Sequence, residues 1–296
     1  MKNTKNEFYR DTIRAHDRSL MKPSESALKT RINIRAGENG KLILGDLHNM
    51  TVLGGRTLIQ EQAFGLVPNS AQHILLNNLL NIPHSVNVFT STPNLAIQRK
   101  VGWFMIGTGG ENLAVPYSTY EPFDYETNLY NPVPFRCVPI ASDLSAAEQA
   151  AYRLKKIITI NGNQYYAYYA KAFSLTSVTM QYENVDYIPS PGDTKQYQPN
   201  DPTNPLGAAP VLVYTDFNLM VSDVEYKEYY QANNNGSLTG ARLSELGLVF
   251  GYDAPNALNG GNNELAGAEL FAKLTHTPVF LDTTGSSRNV EYQIFT

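Results

Sequence analysis

The stretch Ile157-Ile158-Thr159-Ile160, then Asn161-Gly162-Asn163, then Gln164-Tyr165-Tyr166-Ala167-Tyr168-Tyr169-Ala170-Lys171 decides the fold class. Two runs rich in β-branched and aromatic residues flank an Asn-Gly pair, which supplies the positive φ angles that a tight hairpin turn needs. Local chemistry alone therefore predicts a β-hairpin. Tyr165, Tyr166, Tyr168 and Tyr169 fall on both faces of its second strand, because side chains alternate along a strand. Rings on both sides suggest one face packed on the body and the other on a partner, since Tyr is enriched in interfaces. The alternative is a two-layer core whose tyrosine hydroxyls reach solvent.

Outward from the hairpin, most of the chain reads as strand. Val86 to Phe89, Leu95 to Ile97 and Val101-Gly-Trp-Phe-Met-Ile106 are short β-branched and aromatic runs bounded by Pro93, Gly107 and Gly109-Gly110. Residues 27–56 alternate apolar runs with turns such as Gly37-Glu38-Asn39-Gly40, which predicts strands or extended chain. Further strands are expected at Val211 to Tyr226 and Leu243 to Phe250, with Leu270 to Leu281 and Val290 to Phe295 as a closing antiparallel pair. Two helices interrupt this pattern. One is expected over the segment from Gln60 to Leu80, with Asn69-Ser70 as an N-cap and Pro83 ending it. The other is expected over Leu144 to Lys156, behind Ser142-Asp143. Residues 188–210 hold six prolines, and 253–268 are rich in Asn and Gly, so both are expected to protrude as loops. The predicted fold is mainly β, antiparallel with sandwich character, with one or two α-helices and an extended N-terminal arm. The division is a basic arm over 1–35 and a β-rich body over 36–296.

Composition narrows the class. The 296 residues are 42% hydrophobic and only 17% charged, with 19 Tyr, 21 Gly and 17 Pro, against a usual charged share of about 25%. A chain this long buries enough surface to fold without disulfides or metal, and Cys137 has no cysteine to pair with. The N-terminal residues lack the apolar core of a signal peptide, and no apolar run approaches the roughly 20 residues that span a bilayer. A soluble protein made in a reducing compartment, with no membrane partner, is the expectation.

Charge is uneven along the chain. Residues 1–35 carry nine Lys/Arg, including Arg10, Arg14 and Arg18, against four acids, a net of +5 within a total of −4. The remaining residues then carry −9, and such an asymmetry suggests an arm that docks on something acidic. The other reading is a solvated tail. An extended arm of this length reaches roughly 110 Å.

The residues that could carry chemistry do not form a site. Gly107-Thr108-Gly109-Gly110 follows a strand, but no Lys-Ser/Thr follows and no helix is expected behind it, so a turn explains it better than a phosphate loop. His16, His48, His73, His84 and His276 are scattered, with no metal-binding spacing. Asp46 and His48 would face the same way on a strand, an arrangement commoner on surfaces than in sites. Cys137, in Pro134-Phe-Arg-Cys-Val-Pro139, has no nearby His and is expected to be a buried small hydrophobe. No catalytic residue, cofactor or metal is expected. Any nucleic-acid contact falls to the basic arm, because the Tyr-rich hairpin belongs to an acidic body.

Several stretches taken together carry a resemblance. Asn49-Met-Thr-Val-Leu-Gly-Gly-Arg-Thr-Leu-Ile59, Phe104-Met-Ile-Gly-Thr-Gly-Gly110 and Leu129-Tyr-Asn-Pro-Val-Pro-Phe-Arg136 resemble the opening of tail and fibre-type virion proteins of tailed bacteriophages. Leu243-Ser-Glu-Leu-Gly-Leu-Val-Phe-Gly251, Glu269-Leu-Phe-Ala-Lys-Leu-Thr-His-Thr-Pro-Val-Phe-Leu281 and Asn289-Val-Glu-Tyr-Gln-Ile-Phe295 are similar to their ending. The match covers residues 49–296. The Pro-rich segment at 188–210 and the basic arm depart from the pattern. The resemblance implies a non-enzymatic virion protein, made in the host cytoplasm and present in several copies in the tail, collar or baseplate. Its partners would be copies of itself and tail, portal or collar, and fibre proteins. The interface residues expected are Arg10, Arg14 and Arg18 on the arm and Tyr165, Tyr166, Tyr168 and Tyr169 on the hairpin. A receptor- or glycan-binding tail module is the alternative, and a cell-wall hydrolase is not expected.

Overall fold

Asn161 and Gly162 adopt φ angles of 50° and 80°, and they join β9 (Tyr152–Ile160) to β10 (Asn163–Ala172) as the predicted hairpin. The computed structural model describes residues 29–36, 41–65, 73–83, 99–114, 118–174, 178–183, 212–222, 224–256, 261–280 and 287–295. Around the hairpin stand β4 (Lys100–Gly107), β7 (Pro132–Val133), β8 (Arg136–Pro139), β13 (Arg242–Pro255), β14 (Asn263–Phe280) and β3 (Met50–Thr51). Among the described residues they form a first sheet in the order β3-β14-β13-β4-β10-β8, with β7 on β4 and β9 on β10. A second sheet runs β11-β12-β15-β1-β2, from β1 (Lys29–Ala36), β2 (Leu42–Leu47), β11 (Thr179–Glu183), β12 (Leu212–Val221) and β15 (Arg288–Phe295). Among the described residues every pairing is antiparallel. The short strands β5 (Glu111–Asn112) and β6 (Ser118–Thr119) pair with each other.

Strict alternation sets how the sheets stack. In the second sheet Ile32, Ile34, Phe217, Leu219, Val221, Val290 and Tyr292 turn inward, and they meet Phe104, Ile106, Leu246, Leu248, Phe250 and Leu274 of the first sheet. Asn33, Asn218 and Glu291 alternate with them and are at least part-exposed. The Phe173, Phe217 and Tyr292 rings stack at 5.1 and 5.0 Å through this layer. The first sheet is buried on its other face too, where Trp103, Met105, Val249 and Leu270 lie under Val52, Leu76, Leu80, Leu129 and Leu154. Each large apolar side chain so enclosed contributes about 1.5 to 3 kcal/mol. This is a mainly β, sandwich-like antiparallel fold.

The helices differ from the sequence expectations. Helix α1 (Leu53–Phe64) begins in chain expected to be extended, because Gly54 and Gly55 lie against the carbonyls of Leu270 and Phe271 on β14. Helix α2 covers only Leu76–Leu79, and Asn69-Ser70 lies outside the described residues. The helix expected over Leu144 to Lys156 shrinks to α3 (Ala146–Gln149), closed by a capping box between Ser145 and Glu148. Beyond it Tyr152 enters β9, where tertiary contacts override helix propensity. Leu154 is fully buried at a φ of 57°, and the buried Glu264 carboxylate accepts the amides of Leu154 and Lys155. The strand expected to reach Tyr226 ends at Val221, and α4 (Lys227–Asn233) follows.

Long-range pairing corrects three further expectations. Leu270 to Leu281 and Val290 to Phe295 do not pair with each other: β14 pairs with β13, while β15 lies between β12 and β1. The expected loop over 253–268 is mostly hairpin, since Asp253 pairs with Leu265 and Pro255 with Asn263. The arm does not extend to residue 35. Lys29–Ala36 is an interior strand, with Arg35 bonded to Glu291 at 2.8 Å. Residues 1–28 retain six Lys/Arg and four acids, a net of +2 rather than +5. Arg10, Arg14 and Arg18, the segments at 86–89 and 95–97, the turn at 37–40 and the segment at 188–210 lie outside the described residues. Among the described residues no helix is long and apolar enough to cross a membrane.

Candidate functional site

Two charged clusters sit inside the first sheet. In the first, Glu245 of β13 and Lys273 of β14 have side chains with no solvent exposure. The Glu245 carboxylate accepts the amides of Gly109 (2.9 Å), Tyr130 (2.9 Å) and Asn131 (3.1 Å). Lys273 Nζ lies 2.6 Å from Glu126, 3.2 Å from Glu245 and 3.3 Å from the Asn128 carbonyl, with the Tyr130 ring 3.1 Å away. An ammonium has three hydrogens, and three oxygens and a ring face surround this one. Burial and the Glu126 carboxylate hold the Tyr130 hydroxyl well above the ordinary phenol range. The Gly107 to Gly110 turn is glycine-rich because it wraps this carboxylate: a Cβ on Gly107 or Gly109 would lie 2.7 or 2.8 Å from Glu245 Oε2.

The second cluster lies at the start of β4. Arg99 reaches both Glu61 oxygens at 2.6 Å, bonds Glu269, and stacks 4.8 Å from the Phe250 ring. His73 Nδ1 stands 2.7 Å from Glu269, and its Nε2 3.5 Å from Glu61. This cluster joins α1, β4 and β14. Among the described residues no group of three or more His, Cys, Asp or Glu is arranged to hold a metal ion.

Tyr165, Tyr166, Tyr168 and Tyr169 are not equivalent. Tyr168 is buried and donates to Asp143 at 2.6 Å, and Tyr169 is buried in the core under the first sheet. Burial first, with Asp143 added for Tyr168, holds both hydroxyls above the ordinary phenol range. These two are therefore core residues, a correction to the reading of the strand as two-faced with a partner on one side. Tyr165 and Tyr166 are part-exposed, and Lys155 lies 4.1 Å from the Tyr166 ring. Cys137 is buried, and desolvation, then Glu228, pushes its thiol up to about 12. Asp46 and His48 face each other at 3.9 Å on the surface.

Sequence reasoning missed both clusters. The available signal was a lone Glu inside Leu243-Ser-Glu-Leu-Gly-Leu and a lone Lys inside Phe271-Ala-Lys-Leu, charges in runs too apolar for a surface strand. It also missed the aromatic segment over residues 120–130. There Tyr120 is 60% exposed, Phe123 47%, Tyr125 66% and Tyr130 47%, with Phe123 and Tyr125 stacked at 5.3 Å.

His276 carries a pH prediction. It is buried on β14 beside the Thr277 carbonyl, and burial lowers its pKa to about 4. Between that value and the ordinary 6.5 the unfolded chain takes up a proton that the native chain refuses. Its contribution is thus fully present above pH 6.5 and lost as pH falls toward 4, by about 3 kcal/mol. The difference in urea unfolding free energy between wild type and His276→Gln should shrink over this interval. A difference that stays constant with pH would refute the assignment.

The geometry defines a two-sheet antiparallel β protein whose connecting segments are tied by buried ion pairs. The chain belongs to a family of unknown function (DUF7208), whose model matches residues 48–277. No curated protein and no solved structure matches it. Both charged clusters lie within the matched span, whereas β1, β2 and β15 lie outside it.

Proposed function

We propose that this chain is a structural subunit of a tailed-phage particle, assembling in several copies in the tail, collar or baseplate and supporting neighbours such as fibres. One observation supports this reading above the others. Four of the six stretches that resemble tail and fibre-type proteins converge on the same buried centre: Gly109 from 104–110, Tyr130 and Asn131 from 129–136, Glu245 from 243–251 and Lys273 from 269–281. A carboxylate already holding three amides and an ammonium is suited to fixing loops, not to exchanging protons with a substrate. In a subunit, such a centre stiffens the body that neighbours must fit.

The test is immunogold labelling of purified particles with antibody to this chain, combined with mass spectrometry of the denatured particles. Label at the tail, collar or baseplate is expected. Absence of both label and chain would reject the reading. A chain lacking residues 2–26 is expected to fold and to fail to incorporate, and normal incorporation would remove the arm from the assembly role.

A further inference from the structure

Residues 120–130 form an exposed aromatic shelf on the first sheet. Its backbone is anchored: Thr275 Oγ1 donates to the Tyr120 carbonyl at 2.5 Å, and Tyr130 is held by Glu245. The four aromatic residues are 47% to 66% exposed, and isolated monomers rarely leave several large aromatics together on the surface. The local charge is negative. Glu121, Asp124, Glu126 and Glu245 contribute four negative charges, while Arg56 on Asp124 (3.0 Å) and Lys273 contribute two positive ones, leaving −2. No Lys or Arg occurs from 111 to 135. Exposed aromatic rings within a negative field are the chemistry that receives guanidinium groups, by cation–π contact and ion pairing.

We propose that this shelf receives the basic N-terminal segment, residues 1–28, of a second copy of the chain, with Arg10, Arg14 and Arg18 on its rings. The inference rests on the multi-copy reading above and gives it a contact surface. Segment and shelf are complementary in net charge, +2 against −2. The attachment point is also close. Thr30 bonds Asn49 at 2.8 Å, and the next residue, Met50, pairs with Lys273 beneath Tyr130. Arg10 to Arg18 precede Lys29 by 19 to 11 residues, roughly 35 to 65 Å of extended chain. The body is about 50 Å across. That span is long enough to reach a neighbouring copy. Exchange between two copies would be reciprocal and would close as a symmetric pair.

The test uses full-length chains and photo-crosslinking. One chain carries p-benzoylphenylalanine in place of Tyr125 together with R10E, R14E and R18E, so its shelf is intact and its own segment is charge-reversed. It is mixed with excess wild-type chain and irradiated. A two-chain product joining residue 125 to residues 2–22 of the wild-type chain is expected. Its yield should fall at least tenfold when the second chain also carries the three reversals. No two-chain product, or an undiminished yield with both segments reversed, would overturn the proposal. Particle labelling reads placement in a virion and this experiment reads contact between purified chains, so either can fail while the other stands.

Discussion

Replacing Glu245 with Ala should destabilise the protein by about 4 kcal/mol, or prevent accumulation of folded chain. The carboxylate is fully buried and bonds the amides of Gly109, Tyr130 and Asn131, with Lys273 at 3.2 Å. Its removal leaves three amides without an acceptor, and each buried unsatisfied group costs about 1 to 3 kcal/mol. Water entering the vacated space recovers part of this, so the sum of the separate costs is an upper bound. The loss is still a large share of the 5 to 15 kcal/mol by which a domain is usually stable. Glu245→Gln keeps one acceptor oxygen and should fall between wild type and Ala. Urea unfolding followed by tryptophan fluorescence is a direct reading, because Trp103 lies on β4 beside β13. A loss below about 1 kcal/mol for Glu245→Ala would show that the centre is not what holds these loops.

The second large effect is expected at Gly55. A Cβ there would lie 2.1 Å from the Phe271 carbonyl oxygen and 2.9 Å from its carbon, both backbone atoms of β14. The same oxygen accepts the Val52 amide that anchors the start of α1, at 3.2 Å. Neither atom can move without shifting helix or strand, so Gly55→Ala should cost about 3 kcal/mol, the upper range for overpacking. Gly102→Ala is the control: it lies on β4, in the sheet that contains β14, and an added Cβ meets nothing within 4 Å. It should be neutral or stabilising by up to about 1 kcal/mol, since glycine is unfavourable within a strand. Equal melting temperatures for the two variants would contradict the close approach of α1 to β14.

What could be read from the sequence was local. The Asn161-Gly162 turn and the runs at Val101 to Ile106 and Leu243 to Phe250 carry their own signal in turn chemistry and β-branched or aromatic content. The helix expected after Ser142 failed because Ala, Glu and Lys favour helices, while the partners that hold Leu154 and Lys155 in a strand come from Glu264, far away in sequence. Helix α1 was hidden for the opposite reason. Its two glycines look like turn residues, and only the backbone of β14 explains them. The charged centre could not be assembled because Glu126, Glu245 and Lys273 become neighbours only when β4, β13 and β14 align. Of the hairpin tyrosines, alternation predicted two faces, but it could not tell that Tyr168 faces Asp143 rather than a partner.

The order of the second sheet also bears on timing. Strand β15 lies between β12 and β1, with Ala36 opposite Arg288 and Lys29 opposite Phe295. Closing that pairing joins residues about 250 positions apart, the kind of contact that slows folding most. During synthesis at about 5 to 20 residues per second, β1 leaves the ribosome early and waits at least about ten seconds for its central neighbour. Throughout that interval β1 offers an unfilled backbone edge, joined by that of β12 once residue 221 is made, and the inward side chains of Ile32 and Phe217 have no completed layer to close over them. The nascent chain is thus most vulnerable to pairing with the wrong strand just before it is finished, and a chaperone that shields strand edges would act in that window.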